Sequence, residues 1–195
     1  MIELGCGPVH LSYGPGAGAT TLCLSISSTI LECGNRVLWI ATEIPDPERS
    51  SHILGHLGEG QLMRLTIFER KDSLETSITA TRSIVERLDK EDLLVIDDWC
   101  ERHGRASSDD VAAILRLIQS RPRCRMILTS ALVSKPISGS MAVDFTANPR
   151  GGKKVNDLLR VVFLYDDAEN LGYRNLFDSG KISRVLLTDS GFIPA

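Results

Sequence analysis

Two clusters in this sequence combine residue types and spacing that could do chemistry. The first is Tyr13-Gly14-Pro15-Gly16-Ala17-Gly18-Ala19-Thr20-Thr21. Glycines let successive backbone N–H groups converge on phosphate oxygens, and a helix starting at the threonines adds a favourable dipole. The layout is that of a Walker A loop, whose pattern is glycine, four residues, then Gly-Lys-Ser/Thr. Counting from Gly14 puts Ala19 at the second glycine, Thr20 at the lysine and Thr21 at the hydroxyl. Aligning on Gly18 puts Ala19 at the lysine and Thr20 at the hydroxyl, with the loop one residue short. Neither register supplies the lysine, whose ammonium makes a charge-assisted contact with the terminal phosphates. The expectation is a loop, Gly14 to Thr21, that holds an anion but hydrolyses ATP poorly.

The second cluster lies about 80 residues further on, where Leu93-Leu94-Val95-Ile96 runs into Asp97-Asp98. A buried apolar strand ending in a carboxylate is the Walker B layout, in which the acid supports magnesium. Asp97 is the candidate acid, Thr20 the candidate hydroxyl for the same ion, and Glu43 sits where a water-activating carboxylate would stand. A third feature is electrostatic. From Ser134 to Lys154 the sequence carries Lys135, Arg150, Lys153 and Lys154 against the single acid Asp144. That local excess of positive charge, in a chain of net charge −3, points to phosphate contacts.

These residues need a scaffold that brings strand ends together. Apolar runs at His10–Tyr13, Arg36–Ala41, Arg64–Phe68, Leu93–Ile96 and Arg125–Thr129 read as strands. Helical spacing occupies Thr20–Leu31, Ser73–Leu88 and Ser107–Gln119, with a turn and a helix start over Pro45–His56; Ser107 and Ser108 are cap candidates. Alternating strands and helices predict one α/β domain, residues 1–195, with a mainly parallel sheet covered on both faces. Two late strands, Arg160–Tyr165 and Val185–Thr188, have no long helix between them and predict an antiparallel edge. In such a sheet ligands bind beyond the carboxyl ends of the strands, which places the glycine loop, Glu43 and Asp97 on one rim.

With 195 residues, 43% hydrophobic and 24% charged, the chain has the length and composition of one globular domain, which excludes disordered and fibrous classes. Its net charge argues against coating nucleic acid by bulk charge. No run approaches the roughly 18 apolar residues of a membrane span. The N-terminus has neither the basic nor the apolar region of a secretory leader. Five cysteines without a Cys-x-x-Cys pair suggest neither a disulfide framework nor a zinc ribbon. Cys23 and Cys33 are expected as reduced core residues, and the expected compartment is the cytoplasm.

The chain resembles the RecA/RadA recombinase superfamily, and within it the short archaeal RadA paralogues of the RadB type. The resemblance rests on the Tyr13–Thr21 loop, on Val37-Leu38-Trp39-Ile40-Ala41-Thr42-Glu43 followed by Pro47-Glu48-Arg49, and on the Leu93–Asp98 strand. It continues through Met126-Ile127-Leu128-Thr129, the double glycine Gly151-Gly152, and the tail Leu187-Thr188-Asp189-Ser190-Gly191-Phe192-Ile193. What the resemblance implies is a RecA-like P-loop NTPase core, use of ATP and Mg2+, and two DNA-contacting loops. Arg102 and Arg105 would fall in the first loop and Lys135, Arg150, Lys153 and Lys154 in the second. Ser130 stands where the family has a glutamine that senses the terminal phosphate. Only 13 residues precede Gly14, so neither an N-terminal DNA-binding domain nor a polymerisation segment is expected. The function these readings imply is an accessory in DNA recombination and repair, a mediator or scaffold for DNA and a main RadA-type recombinase. Two alternatives stay open: an atypical ATPase that borrows a cation such as Arg49, and a structural subunit of a non-DNA assembly.

Overall fold

The computed structural model describes Leu4 and residues 7–133 and 149–195. Among the described residues nine strands form one sheet, in the order β3-β2-β4-β5-β1-β6-β7-β8-β9. The parallel part comprises β1 (Val9–Tyr13), β2 (Val37–Ala41), β3 (Leu65–Glu69), β4 (Leu93–Asp97), β5 (Arg125–Ala131) and β6 (Arg160–Asp166). From β6 the sheet continues antiparallel through β7 (Tyr173–Asp178), β8 (Lys181–Thr188) and β9 (Gly191–Pro194). The expected mixed α/β architecture with an antiparallel C-terminal edge is therefore observed. Strands β7 and β9 had no sequence signal of their own. The burial pattern of β7 is intermediate along most of its length, so neither an apolar run nor a clean alternation marks it.

The helices divide between the two faces. Against one face pack α1 (Ala19–Glu32) and α2 (Pro47–Leu54), through Leu22, Leu24, Ile30, Leu31, Ile53 and Leu54. Against the other pack α4 (Leu74–Val85) and α5 (Ser108–Gln119), through Leu74, Val85, Ala113, Ile114 and Leu117. Short helices α3 (Glu59–Leu62) and α6 (Gly152–Asn156) complete the set. The period of two decides which side chain serves which core. In β2, Val37 and Trp39 face the α1 side while Leu38 and Ile40 face the α4–α5 side; β4 divides Leu93 and Val95 from Leu94 and Ile96 in the same way. Central strands buried on both faces read as unbroken apolar runs, which is why they were legible. Cys23 is buried as expected, but Cys33 is exposed, because it caps the C-terminal end of α1 where the helix reaches the surface.

The C-terminal edge reaches the glycine loop. The Phe192 backbone N–H donates to Ser25 Oγ at 2.9 Å, and the Phe192 ring lies against Gly18. Gly191 has φ +109°, and a Cβ there would sit 2.4 Å from Ser25 Oγ, so this turn of the tail requires glycine. Arg49 of α2 fixes the same turn, donating to the carbonyls of Thr188 at 2.7 Å and Asp189 at 3.1 Å.

A polar knot lies at the sheet centre. His10 of β1 is fully buried; its Nε2 meets Ser130 Oγ at 2.8 Å and the Trp99 indole N–H at 3.3 Å, and its Nδ1 meets Asn156 Oδ1 at 2.9 Å. Indole nitrogen only donates, so Nε2 accepts and Nδ1 carries the proton. Burial lowers the His10 pKa to about 4, against a smaller opposing effect of Asn156. A protonated ring would turn its second N–H against the Trp99 N–H. A depressed histidine contributes stability that is present above its unfolded value near 6.5 and is lost as pH falls toward 4. At about 1.4 kcal/mol per unit, the loss reaches about 3 kcal/mol. We expect urea midpoints to fall between pH 6.5 and 4, and less steeply for His10→Gln; equal slopes for parent and variant would contradict this assignment.

Candidate functional site

The glycine loop begins where β1 ends. Gly14 N–H donates to the Leu164 carbonyl at 2.8 Å and Ala17 N–H to the Gly14 carbonyl at 3.1 Å, which pins the turn to β6. Gly16 at φ +73° and Gly18 at φ +86° use the left-handed region that only glycine enters without strain. Gly18 is the N-cap of α1 and supplies no side-chain cap, so the first N–H groups of α1 lack intrahelical acceptors and point out of the loop.

The register of the motif is decided by one contact. Thr20 Oγ1 donates to Asp97 Oδ2 at 2.9 Å. Thr20 is therefore the hydroxyl that faces the acid at the end of β4, and the preceding residue, Ala19, is buried at 4% exposure. Thr21 instead lies 3.4 Å from Arg49 Nε. Asp97 is itself 6% exposed and receives a second hydrogen bond, from Thr129 Oγ1 at 2.6 Å. Burial raises its pKa above the usual carboxylate range, opposed by the Thr129 and Thr20 hydroxyls.

After Asp97 the chain turns sharply. Asp98 adopts φ +50°, a conformation that aspartate tolerates better than most residues. Thr129 holds the turn, accepting from Asp98 N–H at 2.8 Å through its hydroxyl and from Trp99 N–H at 3.1 Å through its carbonyl. Asp98 then accepts from the Tyr13 hydroxyl and from Arg102 Nε, the latter at 2.6 Å. Burial, reinforced by Asp98, pushes the Tyr13 phenol well above its ordinary pKa. Sequence reasoning missed the parts played by Tyr13, Asp98 and Thr129; adjacent acids at a strand end were the available signal for Asp98.

Two clefts flank this junction. One, of about 460 Å³, is lined by Thr20, Thr42, Glu43, Arg49, Asp97 and Arg102, among others. The other, of about 550 Å³, runs along Gly16, Gly18, Ala19 and Thr20 and shares Arg102 and His103 with the first. The loop, Glu43 and Asp97 thus share one rim, as expected. Pro15 and Gly16 are exposed, and Glu43 is 78% exposed with its carboxylate 3.6 Å from Arg102.

The basic residues divide three ways. Arg105, Lys153 and Lys154 are exposed, and Arg102 is exposed at the cleft mouth. Lys135 lies outside the described residues. Arg150 departs from the expected solvent-facing role. It is 4% exposed, and its guanidinium donates to the Ala131 carbonyl at 2.9 Å and to the carbonyls of Gly104 and Arg102. Each of its three guanidinium nitrogens donates to a backbone carbonyl, so Arg150 ties the segment after β4 to the end of β5. Ser130 faces His10 in the interior rather than the cleft. Gly151 packs against Trp99, where a Cβ would come within 3.0 Å of Cζ2. Among the described residues no helix is long and apolar enough to cross a membrane.

No protein-family model and no curated protein matches the sequence. Solved structures do match. The crystal structure of the RadB recombinase aligns with a TM-score of 0.69 over 97% of this chain and 90% of that one, at 17% identity. A DnaB-like replicative helicase, described with its interactions with primase, aligns at 0.72 over 96% of this chain and 57% of that one, at 12% identity. A further solved ATPase domain aligns at 0.70 over 97% of this chain and 85% of that one, at 13% identity. The mainly parallel sheet with its antiparallel C-terminal edge is thus a RecA-like fold, shared with these recombinase and helicase ATPase domains.

The buried Asp97 charge has a measurable consequence. An acid whose folded pKa is raised contributes stability below its unfolded value, lost as pH rises through the folded value. Asp97→Asn removes that charge while Oδ1 still accepts from Thr129. We expect the variant to melt higher than the parent at neutral pH. Thermal denaturation of both proteins checks this, and a lower melting temperature for the variant would count against it.

Proposed function

We propose that this protein is a nucleotide-binding accessory of DNA recombination or repair, acting as a mediator or scaffold rather than as an efficient ATPase. The observation that carries this reading is the Thr20–Asp97 hydrogen bond at the mouth of a glycine loop whose lysine position is Ala19. It assembles the magnesium-supporting half of a P-loop without the phosphate-binding ammonium. The likeness to the RadB recombinase over nearly the whole of both chains supports the DNA setting.

The residues present fit ATP with Mg2+. Amides of Gly16 to Thr21 would take the phosphates, Thr20 Oγ1 would reach the ion, and Asp97 would orient its water. The ion, when bound, supplies charge neutralisation at the phosphates. The chain's own contribution is alignment: the buried Asp97, held by two threonines, keeps α1 and β4 in register. Glu43 stands on the rim where a carboxylate could position water. Loss of a single stabilising donor costs on the order of 10²–10³ in rate, so hydrolysis is slow.

Within the Ser134–Lys154 stretch, DNA contact falls to Lys135, Lys153 and Lys154, because Arg150 is spent inside the protein, and exposed Arg105 adds to it from the segment after β4. So few cations support only weak, salt-sensitive binding, so a partner such as a main RadA-type recombinase supplies the remaining affinity.

The test has two arms. In calorimetric titration, Mg-ATP binds while phosphate release stays near background. In DNA titrations across salt concentrations, Lys135→Ala/Lys153→Ala/Lys154→Ala weakens binding and reduces the log–log salt slope by up to about 3. A protein that binds neither Mg-ATP nor DNA, alone or with the recombinase, is a structural subunit instead.

A further inference from the structure

We propose that Arg102 is the cation directed at bound nucleotide phosphate, supplied in cis from the segment after β4 in place of the missing loop lysine. The inference rests on the nucleotide reading above and names the residue that makes it workable.

Electrostatics pose the problem. The cleft beside Glu43 carries Glu43, Asp46, Asp97, Asp98 and Glu101 against Arg49, Arg70 and Arg102. A phosphate chain entering it meets an excess of negative charge, so a cation must be aimed at it. Two of the three arginines are committed elsewhere. Arg49 donates to the carbonyls of Thr188 and Asp189, and Arg70 to the Trp99 carbonyl at 3.1 Å and Thr42 Oγ1 at 3.1 Å.

Arg102 differs in partners and place. It lines both clefts, and so stands between the Asp97–Glu43 rim and the Gly16–Thr20 loop. Its Nε is fixed on Asp98 at 2.6 Å, an acid itself oriented by Tyr13 at the start of the loop. That contact uses one edge of the guanidinium and turns the terminal nitrogens toward the cleft. There Nη2 meets the exposed Glu43 Oε2, at 3.6 Å. An exposed pair of that length is weak, so phosphate oxygens displace Glu43 at little cost and take a forked contact that suits them better. The backbone is held as well, since Arg150 clamps the carbonyls of Arg102 and Gly104 from the interior. Arg150 is thus a positioning residue for Arg102.

The experiment compares Mg-ATP binding by calorimetry for parent, Arg102→Ala and Arg102→Lys, with thermal melts and duplex-DNA titrations of each. Removing a hydrogen bond to a charged group predicts about 10-fold to 100-fold weaker Mg-ATP binding for Arg102→Ala. Arg102→Lys recovers part of the loss, because it restores charge without the fork. Arg102→Ala melts somewhat lower because Asp98 loses its cationic partner, and Arg102→Lys melts near the parent because it keeps a cation there. DNA affinity stays near the parent value for both. Parent and Arg102→Ala binding Mg-ATP equally overturns this role while leaving the nucleotide reading intact. Loss confined to DNA affinity overturns it too and returns Arg102 to a nucleic-acid contact. A parent that does not bind Mg-ATP removes both readings together.

Discussion

The structure depends first on one buried carboxylate. Asp97 sits at the end of a strand enclosed on both faces, and hydroxyls from two other elements satisfy it: Thr20 from α1 and Thr129 from β5. Taking an ionised group out of water is expensive unless hydrogen bonds compensate, so the three residues must be placed together or not at all. Their union aligns the glycine loop with the β4 turn, and Thr129 extends the alignment by holding the Asp98 and Trp99 amides. The raised pKa of Asp97 shows that compensation is incomplete.

Around this junction the arginines take distinct duties, and burial separates them. Arg49 and Arg150 spend their donors on backbone carbonyls, the former bracing the C-terminal turn and the latter bridging the segment after β4 and the end of β5. Arg102 pairs with carboxylates at the mouth of the clefts and keeps about half of its side chain exposed. Sequence position alone would group Arg150 with the neighbouring lysines, Lys153 and Lys154. The planar fork matches converging carbonyls where an ammonium would not, which suits arginine to the interior position.

The tail belongs to the same arrangement. Phe192 seals Gly18 and its backbone engages Ser25, and Gly191 permits the approach because no Cβ intervenes. The C-terminal antiparallel strands therefore do more than extend the sheet; they press on the first two turns of the helix that follows the glycine loop. Arg49 joins them to the start of α2, so the "Pro-Glu-Arg" and "Thr-Asp" stretches, about 140 residues apart, form a single brace.

The sequence by itself determined the parallel core, because strands buried on both faces must be apolar throughout and helices between them must show a 3.6-residue period. It also determined the glycine loop, Asp97 and the lack of a lysine, since these depend on residue identity within short windows. Other features were decided only by tertiary structure. Whether Thr20 or Thr21 faces the acid turned on a hydrogen bond between residues 77 positions apart. That Arg150 is internal and Arg102 faces the clefts depended on which carbonyls and carboxylates converge from distant segments. Strands β7 and β9 emerged only as pairing partners, because half-buried edges lack the continuous apolar signal of the centre. Local pattern specifies what a residue can bond; only the packed chain specifies what lies within its reach.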